Sequence, residues 1–248
     1  MKVAFLCSDE ISNQIFVKTI KKYNLELLVY VEKNNSNKKK LIKKKLVDLS
    51  LLGKLFFPLD VLSLLLYKKI INKYLNKNLE LVSDFFLQED ILLTNNINGP
   101  EVFENICNFK PDLIIVRGTS IIRKPLINYD TKYFLNIHGG IVPNYRNVHG
   151  LFWSYYFKDF SNMGSSILHL TEGIDNGNIA LMSTFQDPPK GLKDLHLKNI
   201  VLSNKLTTDL IENLLSDNNI ESTEQDREID PFYGQTPKFS DFIKLWVL

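Results

Sequence analysis

The order of elements in the first thirty residues constrains the fold more than any other feature of this chain. Residues 3–7 and 25–31 form two short apolar runs typical of buried strands, and residues 10–22 between them have the periodicity of an amphipathic helix. A strand, a helix and a strand in this order predict a parallel pair, because parallel strands need a crossover connection. We therefore predict an α/β fold with a Rossmann-like, mainly parallel sheet.

The rest of the chain continues this alternation. We predict further strands at residues 91–93, 113–116, 167–170 and 179–185, and helices at about 100–109 and at 192–215. Ligands of open α/β sheets bind beyond the carboxyl ends of the strands. The loops at Ser8, 94–96 and Gly118–Thr119 and the strand end at residues 136–138 are therefore expected to share one crevice.

Composition sets the broad class. The chain has 248 residues, of which 44% are hydrophobic and 23% charged, and a net charge of +2 argues against a general nucleic-acid binder. No G-x-G-x-x-G follows the first strand, which argues against a nicotinamide dehydrogenase.

Cys7 and Cys107 each lie in an apolar run without a neighbouring ligand, so we predict no metal site. We expect no signal peptide and a reducing cytoplasm.

Residues 34–80 form a predicted helical insertion with an unusual charge. Lysines number 12 and acidic residues 3 between positions 33 and 80, a net of +9, and a Leu-rich part follows the KKKLIKKK run. Asp48, Lys54, Pro58 and Asp60 interrupt the apolar part, so we do not expect a membrane span. A helical lid or partner-facing excursion is favoured, and contact with anionic lipid or with substrate phosphates is the alternative.

Three polar residues can converge at the predicted crevice. Asn136 and His138 lie two apart at the end of an apolar run, so strand periodicity places both side chains on one face. Asp175 follows 37 residues after His138, between turn residues. Each residue alone is more often structural, but an amide donor, an imidazole and a carboxylate together suit acyl transfer to an amine.

The order Asn-x-His, Pro-x-Tyr-Arg and Asp-x-Gly, carried by Asn136, His138, Pro143, Tyr145, Arg146, Asp175 and Gly177, resembles the folate-dependent formyltransferases. The resemblance is strong over residues 111–181 and implies transfer of a formyl group from 10-formyl-tetrahydrofolate to an amine. It implies that Asn136 and His138 stabilise the oxyanion, and that Asp175 positions His138 or takes the amine proton.

The same resemblance suggests binding residues. For the folate co-substrate we name the loop and strand-end residues Arg117, Gly118, Thr119, Gly139 and Gly140, and for the acceptor we name Tyr145, Arg146 and Trp153. The aromatic residues after position 150 are more typical of core packing than of ligand stacking. Many relatives have glycine after the arginine where this chain has Asn147, and asparagine tolerates the left-handed backbone that such a turn needs.

The double glycine after His138 is similar to sugar N-formyltransferases, and residues 182–248 are acidic, the wrong sign for contact with tRNA phosphates. The acceptor predicted is therefore a nucleotide diphosphate amino sugar used for cell-surface polysaccharides such as lipopolysaccharide O-antigen. Another small amine, or a folate- or nucleotide-binding module without turnover, stays open. We expect a catalytic domain at 1–181, an extension at 182–248 that can contact a dimer partner, and a homodimer.

Overall fold

The computed structural model describes residues 1–33, 51–216 and 219–247. Its strands are β1 Lys2–Ser8, β2 Glu26–Glu32, β3 Ile91–Thr94, β4 Leu113–Arg117, β5 Tyr133–His138, β6 Tyr145–Asn147, β7 Gly164–His169, β8 Ile179–Thr184 and β9 Phe232–Gly234. Its helices are α1 Asn13–Lys21, α2 Leu51–Leu79, α3 Pro100–Phe109, α4 Gly150–Tyr156, α5 Leu192–Leu215 and α6 Phe239–Val247.

Seven strands form the central sheet in the order β3-β2-β1-β4-β5-β7-β8. The first five strands in this order are parallel, and β7 pairs antiparallel with both β5 and β8. Short strands β6 and β9 form a separate parallel pair. The predicted mainly parallel α/β sheet is confirmed.

The two faces of the sheet carry different helices. One face packs Phe5, Leu113 and Leu135 with residues of α1 and α5, and the other packs Leu6 and Phe134 with residues of α3. Alternate residues of β5 therefore enter opposite layers, as strand geometry requires. This alternation places Asn136 and His138 on the α3 side of the sheet, in line with Phe134.

The predicted insertion is helical where the structure describes it. Helix α2 runs from Leu51 to Leu79 and packs through its second half against the core at Ile71 and Leu75. The KKKLIKKK run falls within residues 34–50, which lie outside the described residues. Among the helices that the structure describes, none is long and apolar enough to cross a membrane.

The C-terminal part packs back on the body of the protein. Helix α5 covers one face of the sheet and contacts α1, α2, β7 and β8. Phe232 and Phe242 join an aromatic cluster with Phe152 and Trp153 of α4. Strand β8 continues across the predicted boundary at residue 181, and the division into two domains stays a prediction.

Candidate active site

Asn136 and Asp175 are joined directly at the end of β5. The Asn136 Nδ2 donates a hydrogen bond to the Asp175 Oδ1 at 3.1 Å, and both side chains remain partly exposed. A side-chain amide nitrogen carries two hydrogens, so one N–H remains for a further acceptor. A carbonyl oxygen at this strand end therefore has a donor available.

His138 contacts the same carboxylate from the neighbouring position on β5. Its Nδ1 lies 3.4 Å from the Asp175 Oδ2, and its Nε2 lies 2.8 Å from the backbone oxygen of Tyr145. Both ring nitrogens face oxygen acceptors, an arrangement that the protonated imidazole satisfies with two N–H donors. The ring is buried, with 8% of the side chain exposed, so these two contacts fix its orientation.

The loop that presents Asp175 is held by Asn147 and by Gln225, and the sequence did not indicate Gln225. The Asn147 backbone N–H donates to the Asp175 Oδ2 at 2.8 Å. The buried Gln225 side chain donates from Nε2 to the backbone oxygens of Asp175 and Gly177, each at 2.8 Å. Gln225 lies 50 residues from Asp175 in a polar loop without periodicity, so no local sequence signal pointed to it.

Two backbone positions beside the carboxylate adopt the left-handed conformation. Asp175 has a φ of 46° and Asn147 a φ of 67°. This conformation costs most L-residues about 1–2 kcal/mol, and aspartate and asparagine are among the non-glycine residues that adopt it most readily. The expectation that Asn147 adopts the turn conformation of a glycine is confirmed.

Gly140 has a packing role beside His138. A Cβ at this position would lie 2.8 Å from the His138 Nε2 and 3.2 Å from the Tyr145 oxygen. Absence of a side chain therefore lets the imidazole reach its carbonyl partner. At Gly139 a Cβ would lie 3.3 Å from the Asn199 Oδ1, so this backbone also runs close to a neighbour.

The predicted folate-binding residues at the end of β4 do not lie together. Arg117 lies on one side of the sheet, and Gly118 and Thr119 lie in the loop that follows the strand. Arg117 points to the α1 side, where its guanidinium donates to the Asn13 Oδ1 and lies 4.4 Å from the centroid of the Phe16 ring. Burial lowers the pKa of Arg117. The structure does not bring Arg117 to the Asn136, His138 and Asp175 trio. Gly118, with a φ of 69°, and Thr119 lie in the accessible loop beyond β4, next to the end of β5.

The predicted acceptor-binding residues have partners inside the protein. The Tyr145 hydroxyl donates to Asp159, and only its backbone oxygen contacts the trio. Arg146 donates from Nε and Nη2 to the Gln225 Oε1, at 3.2 and 2.7 Å, and thereby supports the Asp175 loop indirectly. The Trp153 Nε1 donates to the Gln235 oxygen at 2.7 Å, and its ring packs in the aromatic cluster. Trp153 is thus placed in the core rather than beside the trio.

The other three histidines are half-buried, and desolvation lowers the pKa of each. Burial, with a smaller contribution from Lys68, lowers the pKa of His149 to about 4. Burial, with contributions from His149 and Arg117, also lowers the pKa of His196 to about 4, and its Nε2 forms a hydrogen bond with the Tyr67 hydroxyl of α2. Burial lowers the pKa of His169 as well. Among the described residues, no group of three or more His, Cys, Asp or Glu side chains could hold a metal ion.

Comparison with known proteins identifies the family. The model of the formyl transferase family matches residues 59–187, which is 129 of the 248 residues and more than half of the chain. The chain belongs to the formyl transferase family. Asn136, His138 and Asp175 all lie within the matched segment, and the resemblance predicted from the sequence is confirmed.

Curated relatives of this chain include methionyl-tRNA formyltransferases, of which the chain matches only a part. A methionyl-tRNA formyltransferase from Finegoldia magna is 28% identical over 130 residues, which cover 52% of this chain and 40% of that relative. Two further curated methionyl-tRNA formyltransferases are matched over 28% and 33% of their lengths. The chain thus spans well under half of these curated relatives.

Solved structures of the family share the fold. An N-formyltransferase from Helicobacter canadensis, in complex with folinic acid and dTDP-3-aminofucose, superposes with a TM-score of 0.61 at 14% identity and covers 96% of this chain and 72% of that one. A sugar N-formyltransferase from Shewanella sp FDAARGOS_354 superposes with a TM-score of 0.59 at 14% identity and covers 99% and 87%. At this identity the likeness establishes the formyltransferase fold.

Proposed function

We propose that this chain is an N-formyltransferase that moves a formyl group from 10-formyl-tetrahydrofolate to an amine. The observation that carries this proposal is the single carboxylate of Asp175, which contacts both Asn136 and His138 within 3.4 Å at the carboxyl end of β5. Transfer of a formyl group needs a donor for the developing oxyanion and an acceptor for the proton of the amine. The trio supplies both within one site.

Asn136 is the proposed oxyanion donor. One N–H of its amide is held by Asp175, which fixes the amide plane and directs the second N–H away from the carboxylate. The imidazole of His138 adds a positive charge on the same face when protonated. Removal of one such donor typically costs about 10²–10³ in rate.

Asp175 is the proposed proton acceptor. Attack of the amine nitrogen forms the new bond to the formyl carbon, and the carboxylate takes the proton that the amine loses. The same proton then passes to the folate nitrogen when its bond to the formyl carbon breaks, so Asp175 ends the cycle ionised. General acid–base help of this kind contributes about 10²–10⁴ in rate.

The donor set fits the co-substrate. The Asn136 amide keeps one N–H for a formyl oxygen, and the accessible loop at Gly118 and Thr119 lies next to the trio at the strand ends. We propose that this loop contacts the folate ring through its backbone. Gly139 is proposed to allow close approach at the same edge, since it is partly exposed.

For the acceptor we propose a nucleotide-linked amino sugar used in cell-surface polysaccharide synthesis. One similar structure is described as a sugar N-formyltransferase, and another is an N-formyltransferase in complex with folinic acid and dTDP-3-aminofucose, which supports this acceptor. Residues 182–248 carry 11 acidic and 7 basic residues, a net of −4 that disfavours contact with tRNA phosphates. A homodimer is proposed on the family resemblance, and a cytoplasmic location is proposed because Cys7 and Cys107 are both free thiols.

Methionyl-tRNA is the second candidate acceptor, because the curated relatives named above are methionyl-tRNA formyltransferases. The two candidates differ in electrostatics. Binding of tRNA releases counterions and weakens steeply with salt, whereas binding of a nucleotide-linked sugar involves few phosphates and weakens little.

A panel assay tests the proposal. The protein is incubated with 10-formyl-tetrahydrofolate and, separately, nucleotide-linked amino sugars, methionyl-tRNA and an amino ribonucleotide, while tetrahydrofolate release and product mass are measured. We expect a formylated amino sugar and no formylated tRNA. Formylated methionyl-tRNA alone would support the second candidate, and folate binding without any formylated product would support a binding module.

A further inference from the structure

The first half of α2 exposes an apolar stripe to solvent. Leu55, Leu59, Leu62 and Leu66 are spaced four, three and four residues apart, and 69%, 38%, 52% and 51% of these residues are exposed. This spacing places all four on one face of the helix. Contiguous apolar surface of this kind marks an interaction site in a soluble protein.

The same face becomes basic in the second half of the helix. Lys69, Lys73 and Lys77 continue the three- and four-residue spacing from Leu66, and all three are exposed. No Asp or Glu occurs between positions 61 and 79. Within the described part of the chain, none of these three lysines forms a salt bridge. One helix face therefore presents leucines followed by unpaired positive charge.

A large apolar cavity opens beside this face. It has a volume of about 1010 Å³, lies between α2 and α6, and is lined in part by Leu66 and Ile70 of α2 and Phe239 and Ile243 of α6. Leu66 belongs to both the stripe and the cavity wall, so the two apolar surfaces are continuous. None of the trio residues lines the cavity.

We propose that this face of α2, together with the adjoining cavity, binds the surface of an anionic lipid bilayer. The leucine stripe enters the interface between headgroups and acyl chains, and the three lysines contact lipid phosphates. The helix lies along the membrane surface and does not cross it. This proposal is independent of the formyl-transfer reaction, since it uses no residue of the trio.

The positive charge of this face favours an anionic membrane over a second copy of this chain as its binding partner. A two-fold symmetric dimer through the whole face would bring three lysines from each copy into one interface without an acidic residue of the face, and like charges within an interface oppose association. The face of α2 has no acidic residue to offset them, and the adjoining cavity wall adds one carboxylate, Asp194, beside two lysines, Lys190 and Lys193. In an anionic bilayer the headgroups complement the lysines, and the acyl-chain boundary complements the neighbouring leucines.

Vesicle co-sedimentation of the full chain tests the proposal. Binding is measured with phosphatidylcholine vesicles and with vesicles of phosphatidylcholine and phosphatidylglycerol in equal parts, at low and high salt. We expect binding only to the anionic vesicles, weakened by salt. The triple variant Lys69→Ala, Lys73→Ala, Lys77→Ala should lower the partition coefficient about a hundredfold, because each lysine near an anionic surface contributes about fivefold.

Two further variants control the experiment. The triple variant Lys22→Ala, Lys132→Ala, Lys205→Ala removes the same charge from exposed positions elsewhere and should bind like the wild type. Leu59→Ser with Leu62→Ser should weaken binding at any salt while thermal unfolding shows that the protein still folds. The lysines at 38–45 stay intact throughout, so every change is due to α2.

Three results would overturn the proposal. These are absence of the wild type from anionic vesicles, equal loss in the two lysine variants, and a concentration-dependent dimer in sedimentation velocity that Leu59→Ser with Leu62→Ser dissociates. The last result would assign the face to a second copy of the chain or to another protein surface.

Discussion

Replacement of Asp175 by asparagine is the sharpest perturbation of the proposed site. The carboxylate accepts from the Asn136 Nδ2 at 3.1 Å and from the Asn147 N–H at 2.8 Å, and lies 3.4 Å from the His138 Nδ1. An asparagine has the same shape, but it removes the negative charge and turns one of the two acceptor positions into a donor. Whichever way the amide is oriented, at least one of these contacts is lost, because Oδ1 holds Asn136 and Oδ2 holds Asn147 and His138.

The expected loss of rate follows from the proton that Asp175 is proposed to take. A missing general base costs about 10²–10⁴ in kcat, which corresponds to about 3–5 kcal/mol in the activation free energy. The lost hydrogen bond at a partly exposed position costs about 1 kcal/mol in the free energy of unfolding, so the variant stays folded at room temperature. The KM for the acceptor should change little.

Initial rates of tetrahydrofolate release, measured for wild type and variant with saturating 10-formyl-tetrahydrofolate, give kcat. Asp130→Asn, at an exposed position outside the site, is the matched control and should keep the wild-type rate. A folded Asp175→Asn protein whose kcat lies within about threefold of wild type would refute the assigned proton transfer.

Further predictions concern the residues that support the trio. Gly140→Ala places a Cβ 2.8 Å from the His138 Nε2, so we expect at least a tenfold lower kcat, and unchanged kcat in initial-rate assays would contradict the packing argument. Gln225→Leu leaves the backbone oxygens beside Asp175 without their donor and should lower the free energy of unfolding by about 1–3 kcal/mol in urea titrations; an unchanged unfolding midpoint would exclude this anchoring role. The pKa of His196 is lowered from 6.5 to about 4 in the folded state, so the unfolded chain binds more protons between these values and stability should fall as the pH drops from 6.5 towards 4. His196→Asn should reduce that pH dependence, and an identical pH slope in both proteins would contradict the assignment.

Much of the fold followed from local periodicity. Apolar runs at 3–7 and 113–116 marked strands buried on both faces, and helix α5 was predicted with the bounds that the structure shows, Leu192–Leu215. The pairing of Asn136 with His138 on one strand face followed from the two-residue period of a strand. These features depend only on neighbours in sequence, so the sequence alone was sufficient to predict them.

Features that depend on distant contacts were not predicted. The two-stranded sheet joins three-residue segments, Tyr145–Asn147 and Phe232–Gly234, whose individual signals are too short to read. Gln225 reaches the Asp175 loop across 50 residues. Arg117 lies on the α1 side with Leu113 and Ile115, opposite to Asn136, because of the register in which β4 pairs with β5. A side chain's partner in another layer leaves no periodic pattern in the sequence.

Transfer of an isotopically labelled formyl group tests the central claim most directly. The protein is given labelled 10-formyl-tetrahydrofolate and a nucleotide-linked amino sugar, and the position of the label is followed by nuclear magnetic resonance. Our account predicts that the label appears in a formamide on the sugar nitrogen for the wild type. For Asn136→Ala the rate of this transfer should be lower by a factor of about 10²–10³. Label that appears as free formate at the same rate with and without the acceptor would contradict it.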